Sequence, residues 1–159
     1  MSLVLRDMAA SEAAAVVEMV CGIARETGNR AIPQLTAAGL NASRDLVDVL
    51  VAADGDRLLG ACLSLTTYST WRGARGMYVV DLFVDGAARN RNLGLALLRE
   101  AARRSAARGA RFIKLEVDHT NLGAARFYQR LGFGRKDEDR LFVLESDRMQ
   151  EFVAEKDSP

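Results

Sequence analysis

Residues 77–108 limit this chain to one kind of supersecondary unit. Met77 to Val84 is an apolar-rich run of strand length, interrupted only by Asp81. Leu93 to Arg108 is a helix pattern, with Leu97, Leu98, Ala101, Ala102 and Ser105 on one side. Arg99, Arg103, Arg104 and Arg108 fall on the other side, and Gly109 is the stop. Between strand and helix lies the short turn Arg91-Asn92-Leu93-Gly94-Leu95-Ala96. A strand that feeds a helix through such a turn makes an anion seat. The first amides of a helix lack internal partners, and the helix dipole favours negative charge there. A glycine in the first turn lets a phosphate approach the backbone without a side chain in the way.

The chain is 159 residues long, with 49% apolar and 27% charged residues, which suits one soluble domain over 1–159. A net charge of +1 argues against nucleic-acid binding, which needs a strongly basic face. No apolar run reaches membrane-spanning length, and no membrane partner is expected. The N-terminus, Met1 to Asp7, has no signal-peptide layout. Cys21 and Cys62 are too far apart in sequence to read as a disulfide framework, so a reducing cytoplasm is the expected location. One histidine and two cysteines do not make an ordinary catalytic zinc site, so no metal is expected.

Around the central unit, Leu3 to Arg6 reads as a first strand. Ser11 is the expected N-cap of a helix carrying Val16, Val17, Val20 and Ile23, with Gly28-Asn29 as its stop. Pro33 to Leu40 reads as a second short helix. Val47 to Ala53 and Arg57 to Thr67 form a hairpin around Asp54-Gly55-Asp56, followed by a polar loop over Tyr68 to Gly76. Arg111 to Val117 is a strand, and Asn121 to Leu131 a helix ended by Gly132. Phe133-Gly134 and Leu141 to Leu144 are expected as closing strands, with a helix or tail over Asp147 to Glu155. The order β-α-α-β-β-β-α-β-α-β-β predicts an α/β domain with a mixed sheet.

Several phosphate-binding patterns are absent. There is no GxxxxGK[ST] P-loop and no GxGxxG after the first strand. Gly73-Ala74-Arg75-Gly76 has KH-like spacing but precedes a strand. There is no GxSxG elbow. What remains is R-x-x-G-x-A at Arg91, Gly94 and Ala96, followed one strand later by Asn121-Leu122-Gly123-Ala124-Ala125-Arg126-Phe127-Tyr128-Gln129-Arg130-Leu131-Gly132-Phe133. Together these two blocks resemble the GNAT superfamily of N-acetyltransferases. The first resembles its pyrophosphate motif, Q/R-x-x-G-x-G/A. The second resembles its N-x-x-A-x-x-x-Y-x-x-x-G-F motif.

The resemblance implies a GNAT-like, mostly antiparallel twisted sheet flanked by helices, with acetyl-CoA as co-substrate. It implies that the backbone of Arg91, Asn92, Leu93, Gly94, Leu95 and Ala96 holds the pyrophosphate, with Arg89 and Arg91 adding charge. Asn92 stands where the family usually has glycine, and asparagine is the next residue most tolerant of a left-handed backbone. The family's pantetheine arm pairs with the end of the central strand, which implies Leu82, Phe83 and Val84. Asn121 and Ala124 match a second cofactor contact. Tyr128 matches the tyrosine that protonates the departing CoA thiolate, a step typically worth about a hundred- to ten-thousandfold.

The acceptor amine must be neutral to attack, and deprotonating an amine of pKa near 10 costs roughly 4 kcal/mol at pH 7. Asp81 is the candidate base, with Glu116 and Asp118 as alternatives. His119 in a loop and Cys62 inside a strand are weaker candidates. Thr67 to Gly73, Val79 to Val84 and the tail from Arg140 to Glu151 resemble the diamine and polyamine branch of the family. That branch carries an acidic pair where this chain has Val80-Asp81. Glu26, Asp137, Glu138 and Asp139 are further acidic candidates, and their alternative reading is exposed surface charge. The expected partners are a small-molecule amine acceptor and a second copy of the chain. A non-catalytic acyl-CoA sensor, a protein or peptide N-terminal acetyltransferase and an aminoglycoside acetyltransferase are the rival readings.

Overall fold

The computed structural model describes residues 2–28 and 32–155, with Asn90 through its backbone alone. The chain divides into two compact units, Met1–Asn121 and Leu122–Pro159. The first holds a five-stranded sheet in the order β1-β2-β3-β4-β5, built from Leu3–Asp7, Asp48–Asp54, Arg57–Ser69, Ala74–Val84 and Ala110–Leu115. The first four strands pair antiparallel, and β4 pairs parallel with β5. A parallel pair needs a crossover, supplied by helix α3, Leu93–Ala107. Gly55 takes φ +58 in the two-residue turn between β2 and β3. The expected polar loop over 68–76 is shorter than its composition suggests, because β3 runs on to Ser69 and β4 begins at Ala74.

Strand alternation sorts the core into two layers. Val49, Val51, Ala61 and Leu63 face helices α1, Ala13–Glu26, and α2, Ala37–Ala42, where Val16 and Leu40 are buried with them. The other face packs on α3, whose Leu93, Leu97, Leu98, Ala101 and Ser105 are buried. Ala102 is only half-buried. Gly60 permits this close approach: a Cβ there would stand 3.0 Å from Leu97 Cδ1 and 2.7 Å from the Phe83 carbonyl.

Some boundaries differ from the sequence expectation. Ser11 lies inside a 3-10 turn, Ala10–Glu12, and does not cap α1. The local anchor is Glu12, whose carboxylate accepts the Ala9 amide at 2.8 Å and pairs with Arg6 at 2.7 Å. α2 begins later than Pro33 because Thr36 is the residue whose hydroxyl accepts a first-turn amide, that of Gly39, at 3.0 Å. Gly28 follows α1 at φ +67, and Asn29, the other half of the expected stop, lies outside the described residues.

The second unit holds α4, Leu122–Arg130, and α5, Ser146–Ala154. Gly132 at φ +92 ends α4, with Tyr128 O accepting from Leu131 N at 3.0 Å and Phe133 N at 3.1 Å. Neither Phe133-Gly134 nor Leu141–Leu144 forms a strand, and Phe142 is 89% exposed. Strand-like composition does not by itself supply a ladder partner.

Candidate active site

The turn after β4 has the features of an anion seat. Asp85 opens it by accepting the Ala87 amide at 3.0 Å, while Arg57 holds the other carboxylate oxygen at 2.9 Å. These bonds hold the Asp85 carboxyl below its usual range. A 3-10 turn, Gly86–Arg91, then leads into Asn92, which takes φ 54 and ψ 24. Among the described residues Asn92 is the only non-glycine in the left-handed region. Its short amide side chain makes that conformation tolerable.

Asn92 is also the N-cap of α3, yet its side chain accepts no amide there. The Ala96 amide donates to the Asn92 carbonyl at 3.0 Å, so it is spent inside the helix. That bond occupies the Ala96 amide alone of the expected set, and the helix supplies no carbonyl to those of Leu93, Gly94 and Leu95. Gly94 is not imposed by internal packing. A Cβ there would meet only Val84 Cγ2, at an ordinary 3.5 Å. Gly76 is a contrast, since a Cβ there would stand 2.4 Å from the Phe112 ring. Nothing inside the fold excludes a side chain at position 94.

Leu82, Phe83 and Val84 lie on a strand edge that opens beside this seat. The β3 ladder follows β4 to Val84, opposite Gly60. The β5 ladder stops at Val79, opposite Leu115. Among the described residues, β4 therefore has a neighbouring strand on one side only from Val80 to Val84. Such an edge can hydrogen-bond an extended amide chain.

A bulge marks the point where the edge opens. Val79 pairs with Ser64 and Asp81 with Leu63, so Val80 is an extra residue on β4. The bulge puts Tyr78 and Asp81 on one face, although three residues apart they would otherwise point to opposite faces. Phe83 shares that face, and its ring lies 3.4 Å from where a Gly22 Cβ would be. Burial pushes the Asp81 carboxyl up to about 6. Tyr78 is raised by burial and by the nearby Glu116 carboxylate, with a smaller contribution from Asp81. Tyr78 was not among the sequence candidates, because nothing in the sequence signals the bulge.

The other candidates fall in different places. Asp118 accepts the Thr120 amide at 2.8 Å and its hydroxyl at 2.5 Å, which hold its carboxyl low. His119 is 94% exposed. Cys62 is buried and its thiol is pushed up to about 12, so it is no nucleophile at neutral pH. Glu26 pairs with Arg89, and Arg91 is exposed at the turn. Asn121 ends the first unit, its amide donating to Asp118 O at 2.9 Å. In the second unit Ala124 lies on α4. Tyr128 stacks edge to face with Phe127 at 5.1 Å and Phe133 at 5.3 Å. Asp137, Glu138 and Asp139 are exposed there, Asp137 pairing with Arg135 at 2.6 Å.

Residues 17–133 match the model of the acetyltransferase (GNAT) family. An uncharacterized N-acetyltransferase of Methanocaldococcus jannaschii is 42% identical over 57 residues, 36% of this chain and 25% of that protein. A streptothricin acetyltransferase of Streptomyces lavendulae is 35% identical over 85 residues, 54% of this chain and 42% of that protein. The chain thus spans less than half the length of these curated relatives. In fold it is similar to an integron cassette protein of V. cholerae, with TM-score 0.77, 20% identity, and 98% and 99% of the two chains covered. It is also similar to an aminoglycoside acetyltransferase from an uncultured soil metagenomic sample, solved with sisomicin. There the TM-score is 0.72 and the identity 14%, over 90% and 97% of the chains.

Proposed function

The chain belongs to the acetyltransferase (GNAT) family, and from that premise we propose that it transfers the acetyl group of acetyl-CoA to a primary amine of a small molecule. The observation that carries the proposal is a pair of adjacent vacancies in the hydrogen-bond pattern. The uncapped first turn of α3 follows directly on a β4 edge that has no β5 partner beyond Val79. A diphosphate fits the first, and the amide arm of pantetheine fits the second. Acetyl-CoA, when bound, supplies an acetyl group activated as a thioester. The family model runs from 17 to 133, across both compact units, which supports one acetyltransferase domain over 1–159.

In this reading the amides of Leu93, Gly94 and Leu95 hold the diphosphate, with Arg89 and Arg91 adding charge. Leu82, Phe83 and Val84 hold the pantetheine arm through their backbone, and Asn121 and Ala124 add a second contact. Asp81 takes a proton from the acceptor ammonium, directly or through water, and leaves a neutral amine for direct attack. A carboxyl near 6 is mostly ionised at pH 7 yet more basic than an exposed aspartate. Tyr128 gives its phenolic proton to the sulfur as the carbon–sulfur bond breaks, and the proton shed by the newly acylated nitrogen restores the phenol through water. Acetylated amine and free thiol are the products.

Asp81 on β4 and Glu116 just past the end of β5, both near Tyr78, support a di- or polyamine-like acceptor. The match to a streptothricin acetyltransferase favours a second reading, an amine-bearing antibiotic as acceptor. Two cysteines that form no disulfide suit a reducing cytoplasm. The exposed run Leu141–Leu144 supports a homodimer. Thiol release from acetyl-CoA over polyamines, amino acids, aminoglycosides and peptides tests the proposal. Release with a small amine supports it. Acetyl-CoA binding without turnover on any amine would instead leave a sensor.

A further inference from the structure

Arg89 lies in the turn that leads into the anion seat, two residues before Arg91. Its Nε donates to the Val84 carbonyl at 3.2 Å, at the end of the open strand edge. Its Nη2 donates to the carboxylate of Glu26, the last residue of α1. Nη1 takes part in neither bond. Both side chains of the pair are about half exposed, 49% for Arg89 and 52% for Glu26. A pair this exposed adds little to folding stability. Beside it, α1 and the end of β4 leave an open cleft of about 390 Å³ over Met19 and Phe83, with room for Glu26 to swing aside.

We propose that Glu26 sets the affinity of the seat for acetyl-CoA by competing with its diphosphate for Arg89. The inference rests on the acetyl-CoA reading above and adds a residue outside both sequence motifs. A diphosphate drawn to the amides of Leu93, Gly94 and Leu95 brings negative charge toward the guanidinium. Glu26 then either gives up Arg89 or stays as a like charge near the phosphates, and both oppose binding. Glu26 is thus an affinity-determining residue on α1, and it ties that helix to occupancy of the turn.

The test is calorimetric titration of the full chain with acetyl-CoA at low ionic strength, using wild type, Glu26→Gln, Arg89→Gln and the double variant. Glu26→Gln should tighten binding by about two- to fivefold, the range an exposed pair supports. Arg89→Gln should weaken it, and adding Glu26→Gln to Arg89→Gln should change nothing further. The KM for S-acetylpantetheine, which lacks the diphosphate, should not move with Glu26→Gln. Unchanged or weaker binding by Glu26→Gln overturns the inference. So does equal tightening in the Arg89→Gln background, which marks a general field effect. A wild type that does not bind acetyl-CoA overturns the acetyl-CoA reading and this inference together.

Discussion

Replacing Asp81 by asparagine should make the protein more stable and less active at once. Burial pushes the Asp81 carboxyl from 3.8 up to about 6 in the folded state. A raised carboxyl favours the protonated folded form. Its contribution to stability is therefore fully present below 3.8 and is lost as pH rises through 6. The full displacement corresponds to roughly 3 kcal/mol. Partial exposure of the side chain screens it, and about 1–2 kcal/mol is the expected penalty at pH 8. Asparagine carries no charge, so Asp81→Asn should match wild type near pH 3.5 and exceed it by about 1–2 kcal/mol at pH 8. Urea denaturation at the two pH values measures this difference. The same variant should lose roughly a hundredfold in kcat, together with the acidic limb near pH 6 in the rate profile. A variant destabilised at pH 8, or one that keeps both turnover and the acidic limb, would refute the reasoning.

Three further outcomes are expected. Asn92→Gly should keep acetyl-CoA affinity within about twofold, because glycine adopts φ 54 without strain; a large loss in a binding titration would show that the amide side chain itself contacts the ligand. Tyr128→Phe should lower kcat about a hundredfold while keeping the ring contacts with Phe127 and Phe133; full turnover with the best acceptor would remove its role as acid. Light scattering should give twice the chain mass if the exposed run Leu141–Leu144 is a dimer surface, and a monomer would remove that role.

Most of the proposed acetyl-CoA half of the site is legible in the sequence, because it depends on local backbone chemistry. A strand, an αL-tolerant asparagine, a glycine and a helix dictate one another over about twenty residues. The structure has Asn92 left-handed and α3 starting at Leu93, with no Cβ at Gly94. The acceptor half depends on register, which a sequence does not print. The Val80 bulge decides that Tyr78 and Asp81 share a face, and strict alternation puts them on opposite faces. The cap differs from the sequence expectation for a related reason. Ser11 has the right residue type, but Glu12 reaches both Arg6 and the Ala9 amide and so fixes the turn one step away. The run Leu141–Leu144 has the composition of a strand and lies outside the sheet, because strand formation needs a partner as well as a propensity.

The central claim is that the amides of Leu93, Gly94 and Leu95 are kept open for the diphosphate of acetyl-CoA. Calorimetric titration of wild type and Gly94→Val tests it most directly. A valine Cβ at 94 meets Val84 only at an ordinary 3.5 Å, so the variant should fold. An unchanged melting temperature without ligand checks this. One acetyl-CoA should bind per wild-type chain, with a ligand-dependent rise in melting temperature. The folded variant should show no measurable binding. Binding of equal strength by both proteins, or by neither, would contradict it.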